Sequence, residues 1–210
     1  MNSPIDLAAT AQTRARYNCI ARFYDSLESG GEGRFKAWRQ MLWLQVRGDI
    51  LEVGVGTGKN LPYYPRGARV IAIDIADRML DRAQKRAQEL GVAVDLRVGD
   101  VQALDFPDNS FDTVIATFVF CSVPDPVQGL RELGRVVKPG GQILLLEHVR
   151  VDRPLMGRAM DLLSPLVVRI WGANINRRTV ENVKRAGLKL ERIKHFGPMG
   201  MVKSIVARPK

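Results

Sequence analysis

At 210 residues, with 46% hydrophobic and 26% charged residues, the chain has the composition of a soluble globular protein and the length for one full-sized core. It contains no run of 18 apolar residues and begins without an apolar signal region, so neither a membrane span nor a signal peptide is expected. Cys19 and Cys121 lack metal-ligand spacing and read as buried free thiols in a reducing compartment, and no metal is expected.

The net charge of +10 is unevenly placed. Residues 1–48 hold seven Lys/Arg against four acids, residues 49–148 eleven against fourteen, and residues 149–210 fourteen against four. A mildly acidic centre with a basic last third points to an anionic partner, either nucleic acid or an anionic membrane surface.

In chain order, residues 4–29 read as one helix. Tyr17, Ile20, Tyr24 and Leu27 form an apolar stripe flanked by Arg14, Arg16 and Arg22, which fits either an interfacial helix or one packed on the domain. Ser29-Gly30-Gly31 is expected to stop it, and a second amphipathic helix spans 33–46. From residue 49 strands and helices alternate, the signature of an α/β doubly wound sheet. Strands are expected at 50–53, 69–74, 95–98, 111–116 and 142–146. Helices are expected at 76–90, capped by Gly91, and at 127–136, with a Lys138-Pro139-Gly140-Gly141 turn before the fifth strand. After His148 the alternation breaks. Residues 151–171 are unusually apolar, and Pro154 and Pro165 predict two short helices with a bend at Ser164. A helix at 178–186 and strands at 188–195 and 201–208 close the chain. The whole reads as one domain: N-terminal helical segment 1–47, core 48–148, apolar helical insertion 149–177 and terminal unit 178–210.

The chemistry concentrates in Asp49–Gly58, where Glu52-x-Gly54-x-Gly56-x-Gly58 follows a buried strand and Asp74 ends the next one. The glycines permit positive φ and close approach of a ligand, and an acid about 20 residues on is placed to accept ribose hydroxyls. Lys59 breaks the dinucleotide pattern G-x-G-x-x-G. Val53 and Asn60 break the phosphate-loop pattern. A carboxylate just before the loop favours a cationic ligand over a pyrophosphate.

This loop, with Asp74, Gly99-Asp100-Val101, Phe106-Pro107-Asp108, Phe111-Asp112 and Lys138-Pro139-Gly140-Gly141, resembles the class I S-adenosylmethionine-dependent methyltransferases. The resemblance implies their Rossmann-like, mostly parallel seven-stranded sheet with an antiparallel last strand. Ala15–Asp25, Glu147-His148-Val149 and Gly172–Thr179 resemble more narrowly the small bacterial phospholipid N-methyltransferases, which methylate phosphatidylethanolamine stepwise towards phosphatidylcholine. The quinone-biosynthesis C-methyltransferases share part of this pattern.

The resemblance implies roles. Glu52 and the Gly54, Gly56 and Gly58 turn would hold the methionine portion of S-adenosylmethionine, and Asp74 its ribose. Ile75 and Met79 would sandwich the adenine, with Asp100 and Val101 at its edge. Thr117 would lie under the sulfonium, and Tyr17 and Tyr24 would close over the cofactor. Asn176 and Arg177, with Arg153, would hold a lipid phosphate. An ammonium has no lone pair, so a protonated ethanolamine needs a group to take its proton. Glu147 and His148, at the end of the central strand, are the candidates, with Tyr24 offering an aromatic face. Against a base-amine methyltransferase, Ala116-Thr117-Phe118-Val119 stands where [DN]-P-P-[YFW] belongs, and no nucleic acid partner is expected. Quinone, thiol and RNA methylation, and adenosyl binding without turnover, remain the rival readings. The phospholipid reading implies a cytoplasmic protein that docks peripherally on the inner, anionic face of the membrane through 4–29 and 151–171.

Overall fold

The computed structural model describes residues 5–28 and 32–210, with the side chains of residues 27, 28, 32, 170 and 171 excepted. Seven strands form one sheet in the order β3-β2-β1-β4-β5-β7-β6. They are β1 (Ile50–Val53), β2 (Val70–Asp74), β3 (Asp95–Val98), β4 (Phe111–Thr117), β5 (Val137–His148), β6 (Lys189–Phe196) and β7 (Val202–Arg208). Strands β1 to β5 pair in parallel, and β7 runs antiparallel to both β5 and β6. The expected doubly wound class and its reversed last strand are both present.

The central strands are buried on both faces. Every residue of β1 is buried, and Ile143, Leu144, Leu145 and Leu146 of β5 are wholly enclosed. Such strands need helices on each side, which is why their sequences are continuous apolar runs. On one face α5 (Pro126–Val136) sets Leu130 and Leu133 against Leu51, Val53, Val114 and Ala116. On the other, Leu42 and Trp43 of α3 (Glu32–Trp43) pack on Ile50, Ile115, Leu144 and Leu146. Helix α4 (Asp77–Leu90) ends as expected at Gly91, whose φ of 64° forms the left-handed cap.

Three expectations change. The first helix is two, α1 (Leu7–Ile20) and α2 (Tyr24–Glu28), separated by a turn in which the Phe23 amide bonds to the Ile20 carbonyl. The break lets Tyr17, Ile20 and Tyr24 all reach the buried cluster of Ala21, Ala76 and Met79, so this stripe faces the protein. The side chain of its fourth member, Leu27, and the Ser29-Gly30-Gly31 stop lie outside what the structure describes. Second, residues 151–171 form one helix, α6 (Pro154–Trp171), that runs through Pro165. Buried Ser164 donates to Asn176 (2.8 Å) and Asn176 donates to Asp161 (3.2 Å), so tertiary bonds hold the turn that proline would open. Third, β5 begins at Val137, and Lys138–Gly141 form a register shift within the β4–β5 ladder, with Gly140 at φ 77°. Helix α7 spans Thr179–Arg185, close to expectation; Cys121 is buried as expected, whereas Cys19 is exposed on α1. Among the described residues no helix is long and apolar enough to cross a membrane, and no cluster of potential metal ligands occurs.

Candidate active site

The strand order reverses at β1, and the carboxyl ends of β1, β2 and β4 meet there. A cavity opens at this point. Its floor is Gly54–Thr57 after β1, Asp74 and Ile75 after β2, and Thr117–Val119 after β4; α1 and α2 contribute Thr13, Tyr17 and Tyr24 as its roof.

The loop after β1 takes its shape from glycine. Gly54 and Gly56 have φ of 68° and 56°, values that side chains other than glycine rarely adopt. A Cβ on Gly56 would meet nothing within 4 Å, so this backbone faces open cavity and a ligand can approach it directly. The Gly56 amide also donates to Asp74 Oδ2 (2.9 Å), and the Ala76 amide donates to Oδ1 (2.9 Å). Burial raises the Asp74 carboxyl above its ordinary range, against the lowering effect of these backbone donors. Each oxygen keeps acceptor capacity for a pair of hydroxyls. Beside it Ile75, Met79 and Val101 line an apolar slot. An open glycine backbone, a diol-sized acceptor and an apolar slot in a row fit the three parts of an adenosyl ligand.

The roof is pinned at several points. Arg14 pairs with Asp77 (2.7 Å), and Asn18 accepts from the Arg78 amide (2.9 Å). Asp25 of α2 accepts from Thr57 (2.6 Å) and Arg86 (2.7 Å) and lies 3.9 Å from Lys59. Burial alone would raise the Asp25 carboxyl, but the Thr57 hydroxyl and the cations Arg86, Lys59 and Arg82 outweigh it and hold it below the ordinary range.

Not every expected residue reaches the cavity. Tyr17, Tyr24, Gly54, Gly56, Asp74, Ile75, Met79, Val101 and Thr117 line it. Glu52 lies wholly buried behind it, accepting from Asn60 Nδ2 (2.5 Å) and the Tyr64 hydroxyl; burial pushes it up to about 7. Gly58 packs under Leu61, and Asp100 turns onto the Gln102 amide (2.9 Å). Glu147 is wholly buried, and its Oε1 accepts from the amides of Val119 (3.0 Å) and Phe120 (3.2 Å), so it anchors a cavity wall. His148 packs its ring against Phe118, which lines the cavity, and against Phe35. Arg153 is exposed at the start of α6, Asn176 is bonded within the insertion, and Arg177 donates to the Val123 carbonyl (2.7 Å) at the cavity edge.

Sequence reasoning passed over Arg39, Lys59, Phe118 and Ser122, which all line the cavity. Arg39 had a signal. It falls on the apolar stripe Phe35, Arg39, Leu42 and Val46, where a cation needs a reason.

Comparison with known proteins shows the family. Residues 51–145 match the family described as a methyltransferase domain. The chain is 31% identical to the ubiquinone/menaquinone biosynthesis C-methyltransferase UbiE of Roseobacter denitrificans over 76% of its own length and 68% of that protein. The chain belongs to the class I S-adenosylmethionine-dependent methyltransferases. It is also 42% identical to a phosphatidylethanolamine N-methyltransferase of Cereibacter sphaeroides, over 50% of this chain and 53% of that protein, so the match spans about half of each. A crystal structure of a SAM-dependent methyltransferase from Methanosarcina mazei superposes with a TM-score of 0.65, covering 80% of this chain and 96% of that one at 22% identity, and shares the fold. The cofactor is S-adenosylmethionine, and the residues lining the cavity fit it.

Asp74→Ala is expected to leave the fold intact and weaken S-adenosylmethionine binding on the order of ten- to a hundredfold, because the ligand hydroxyls lose a charged acceptor. Calorimetry of the folded variant checks this, and unchanged affinity would remove Asp74 from the site.

Proposed function

We propose that this methyltransferase acts on the amine of phosphatidylethanolamine and its partly methylated forms at a membrane surface. The observation that carries the reading is the outer face of α6. Leu155 (83% exposed), Met156, Leu162 (81%), Leu163 and Leu166 stand out from the protein, while Met160 and Ser164 on the inner side are buried. Apolar side chains exposed together on one helix mark an interaction surface. Arg153, Arg158 and Arg169, all exposed, flank them. Such a face suits insertion among anionic headgroups, where each basic residue contributes about 1 kcal/mol.

The face is joined to the cavity. The chain leaving α6 is stitched to the loop after β4, with the Asn174 amide on the Cys121 carbonyl (2.8 Å) and Arg177 on that of Val123 (2.7 Å). Arg16 of α1 lies against Gly172, the left-handed cap of α6. Roof, insertion and cavity rim therefore converge, and a headgroup lifted from the bilayer beside α6 has a short path to Val123 and Ser122. The similarity to a phosphatidylethanolamine N-methyltransferase supports the same substrate.

The bound cofactor supplies an electrophilic methyl on a sulfonium. The chain's part is to align and to exclude water. Tyr24 presents a ring to the growing cation. His148 packs behind Phe118 and supports that ring, and Glu147 holds the Val119–Phe120 wall. A quinone acceptor is the second reading, favoured by the similarity to UbiE, and it uses the same lipophilic approach.

The test is transfer of labelled methyl from S-adenosylmethionine into phosphatidylethanolamine liposomes, with quinone and RNA extracts in parallel. Label is expected in the phospholipid, and at a lower rate with Leu162→Asp/Leu166→Asp, which should also reduce flotation with anionic vesicles. Label entering only the quinone or the RNA would overturn the substrate assignment.

A further inference from the structure

Among the described residues, a second pocket shares no lining residue with the cofactor cavity. It forms where the chain leaving β5 passes the start of α7 and the side chain of Lys203 on β7. Four described cations line it, Arg150, Arg177, Arg178 and Lys203, and the two described acids there, Asp152 and Glu181, are exposed. Lys203 is the least expected of these. It alternates with Ile205 and Ala207 on the face of β7 that joins the core, yet it is only 7% exposed. Glu147 is its cross-strand neighbour but turns its carboxylate to the amides of Val119 and Phe120. The ammonium bonds instead to Asp152 (2.8 Å), whose side chain stays 78% exposed. Burying an ammonium costs free energy, and a carboxylate still largely in water repays little of it.

Two donors in the same lining are spare. Thr179 is only 1% exposed, and its enclosed hydroxyl has no partner among the described residues. The Arg177 Nε is likewise buried and unpaired among them. Glu147 and Asp125 attract this guanidinium only through space, and its Nη2 donates to the Val123 carbonyl (2.7 Å). Enclosed donors left unpaired are costly, so stability alone gives no reason for either. Arg150 and Arg178 are engaged, by Asp161 of α6 (2.8 Å) and more loosely by Glu181 (3.6 Å), and add positive potential. We propose that this pocket binds a phosphate group, free or as an ester, with Lys203 as its counter-charge and Thr179 and the Arg177 Nε donating to its oxygens. A tetrahedral anion accepts from donors that converge on it from separate segments of chain, which a planar carboxylate with two oxygens does less well. The Arg150–Asp161 pair ties the pocket to α6, whose outer face is exposed, so a lipid headgroup is one source of the phosphate and a soluble ion the other. Such a site is indifferent to which acceptor the enzyme methylates.

Thermal melting of the full chain, with inorganic phosphate against chloride and acetate at matched ionic strength, tests this. Phosphate is expected to raise the melting temperature of wild type saturably and beyond chloride, and acetate to do no more than chloride. Lys203→Met should weaken phosphate roughly 10- to 100-fold, through loss of a charge-assisted partner, and Thr179→Val roughly 3- to 10-fold, through loss of a neutral donor. Both replacements keep much of the original shape, so the ligand-free chains should melt at or above wild type. Their affinity for S-adenosylmethionine should be unchanged, because the two pockets are separate. Flotation with phosphatidylglycerol vesicles then identifies the source. Weaker flotation of Lys203→Met, together with release of wild type by inorganic phosphate, assigns the site to a lipid headgroup; equal flotation of the two chains assigns it to soluble phosphate. No stabilisation by phosphate beyond chloride, equal stabilisation by acetate, or equal stabilisation of wild type and Lys203→Met would overturn the site. If Lys203→Met does not fold, Thr179→Val decides it by the same ratio.

Discussion

Gly54→Ala and Gly56→Ala are expected to fail in different ways, although both positions sit in one turn at similar φ. Each substitution forces an L side chain into the left-handed region, at a cost of about 1–2 kcal/mol. At Gly54 the new methyl carbon would also stand 2.4 Å from Val119 Cγ2 and 3.0 Å from Cγ1. Val119 cannot simply retreat, because its amide is bonded to Glu147. Overpacking of this kind adds about 1–3 kcal/mol, so the variant should lose several degrees of melting temperature and distort the wall of the cavity. At Gly56 nothing lies within 4 Å, so only the backbone cost falls on stability. The methyl group instead occupies space the ligand needs. Gly56→Ala should therefore melt close to wild type yet bind S-adenosylmethionine at least tenfold more weakly. Val119→Ala combined with Gly54→Ala should recover part of the lost stability by removing both close contacts. Thermal melts and calorimetry on the four chains check this, and equal losses of stability in the two alanine variants would show that the Val119 contact does not matter.

The contrast between those glycines marks the limit of what the sequence could tell. Alternating apolar runs and glycine stops located the strands because burial on both faces leaves no other composition for β1 and β5. Asp74 and the Gly54 and Gly56 turn were legible because their chemistry is local: an acid at a strand end and glycines where φ is positive. Glu52 was not, since its place behind Asn60 and Tyr64 depends on a loop folding back over it. The same holds for Asp100, whose oxygens are taken by Gln102 two residues away. The Tyr17, Ile20 and Tyr24 stripe was visible as a stripe, but no pattern says whether such a face meets lipid or protein. Here it meets Ala76 and Met79. Pro165 predicted a break that Ser164 and Asn176, partners twelve residues apart, override. Arg39 shows the reverse. A cation on an apolar stripe was in plain view, and only the cavity gives it meaning.

Glu147→Gln is expected to keep the wall of the cavity and flatten the dependence of stability on pH. Burial pushes the Glu147 carboxyl up to about 8, against the lowering effect of the Val119 and Phe120 amides and of Arg177, and no donor among the described residues reaches its Oε2. The folded chain therefore binds this proton more tightly than the unfolded chain, whose carboxyl has the ordinary value of 4.5. Stability from this group is complete below that value and is lost as pH rises towards about 8. The loss amounts to on the order of 5 kcal/mol at 1.36 kcal/mol per pKa unit. Glu52, pushed up to about 7, acts in the same direction over a lower window. Wild type without ligand should thus melt at progressively lower temperature from pH 5 to pH 8. Glutamine resembles the protonated acid, with a carbonyl oxygen to accept from the two amides and no charge to bury. The Gln variant should lose this group's share of the slope throughout pH 5 to 8, keep only that of Glu52 below about pH 7, and match wild type near pH 5. Glu147→Ala should be much less stable at both pH values, because it strands two backbone donors. Turnover separates the two roles open to this residue. A wall anchor predicts that Glu147→Gln retains S-adenosylmethionine affinity and most of kcat, whereas a proton acceptor predicts loss of kcat at every pH with affinity unchanged. We expect the first outcome, since Glu147 is enclosed and Val119 stands between it and the cavity; a Gln variant that binds normally and does not turn over would return it to the chemistry.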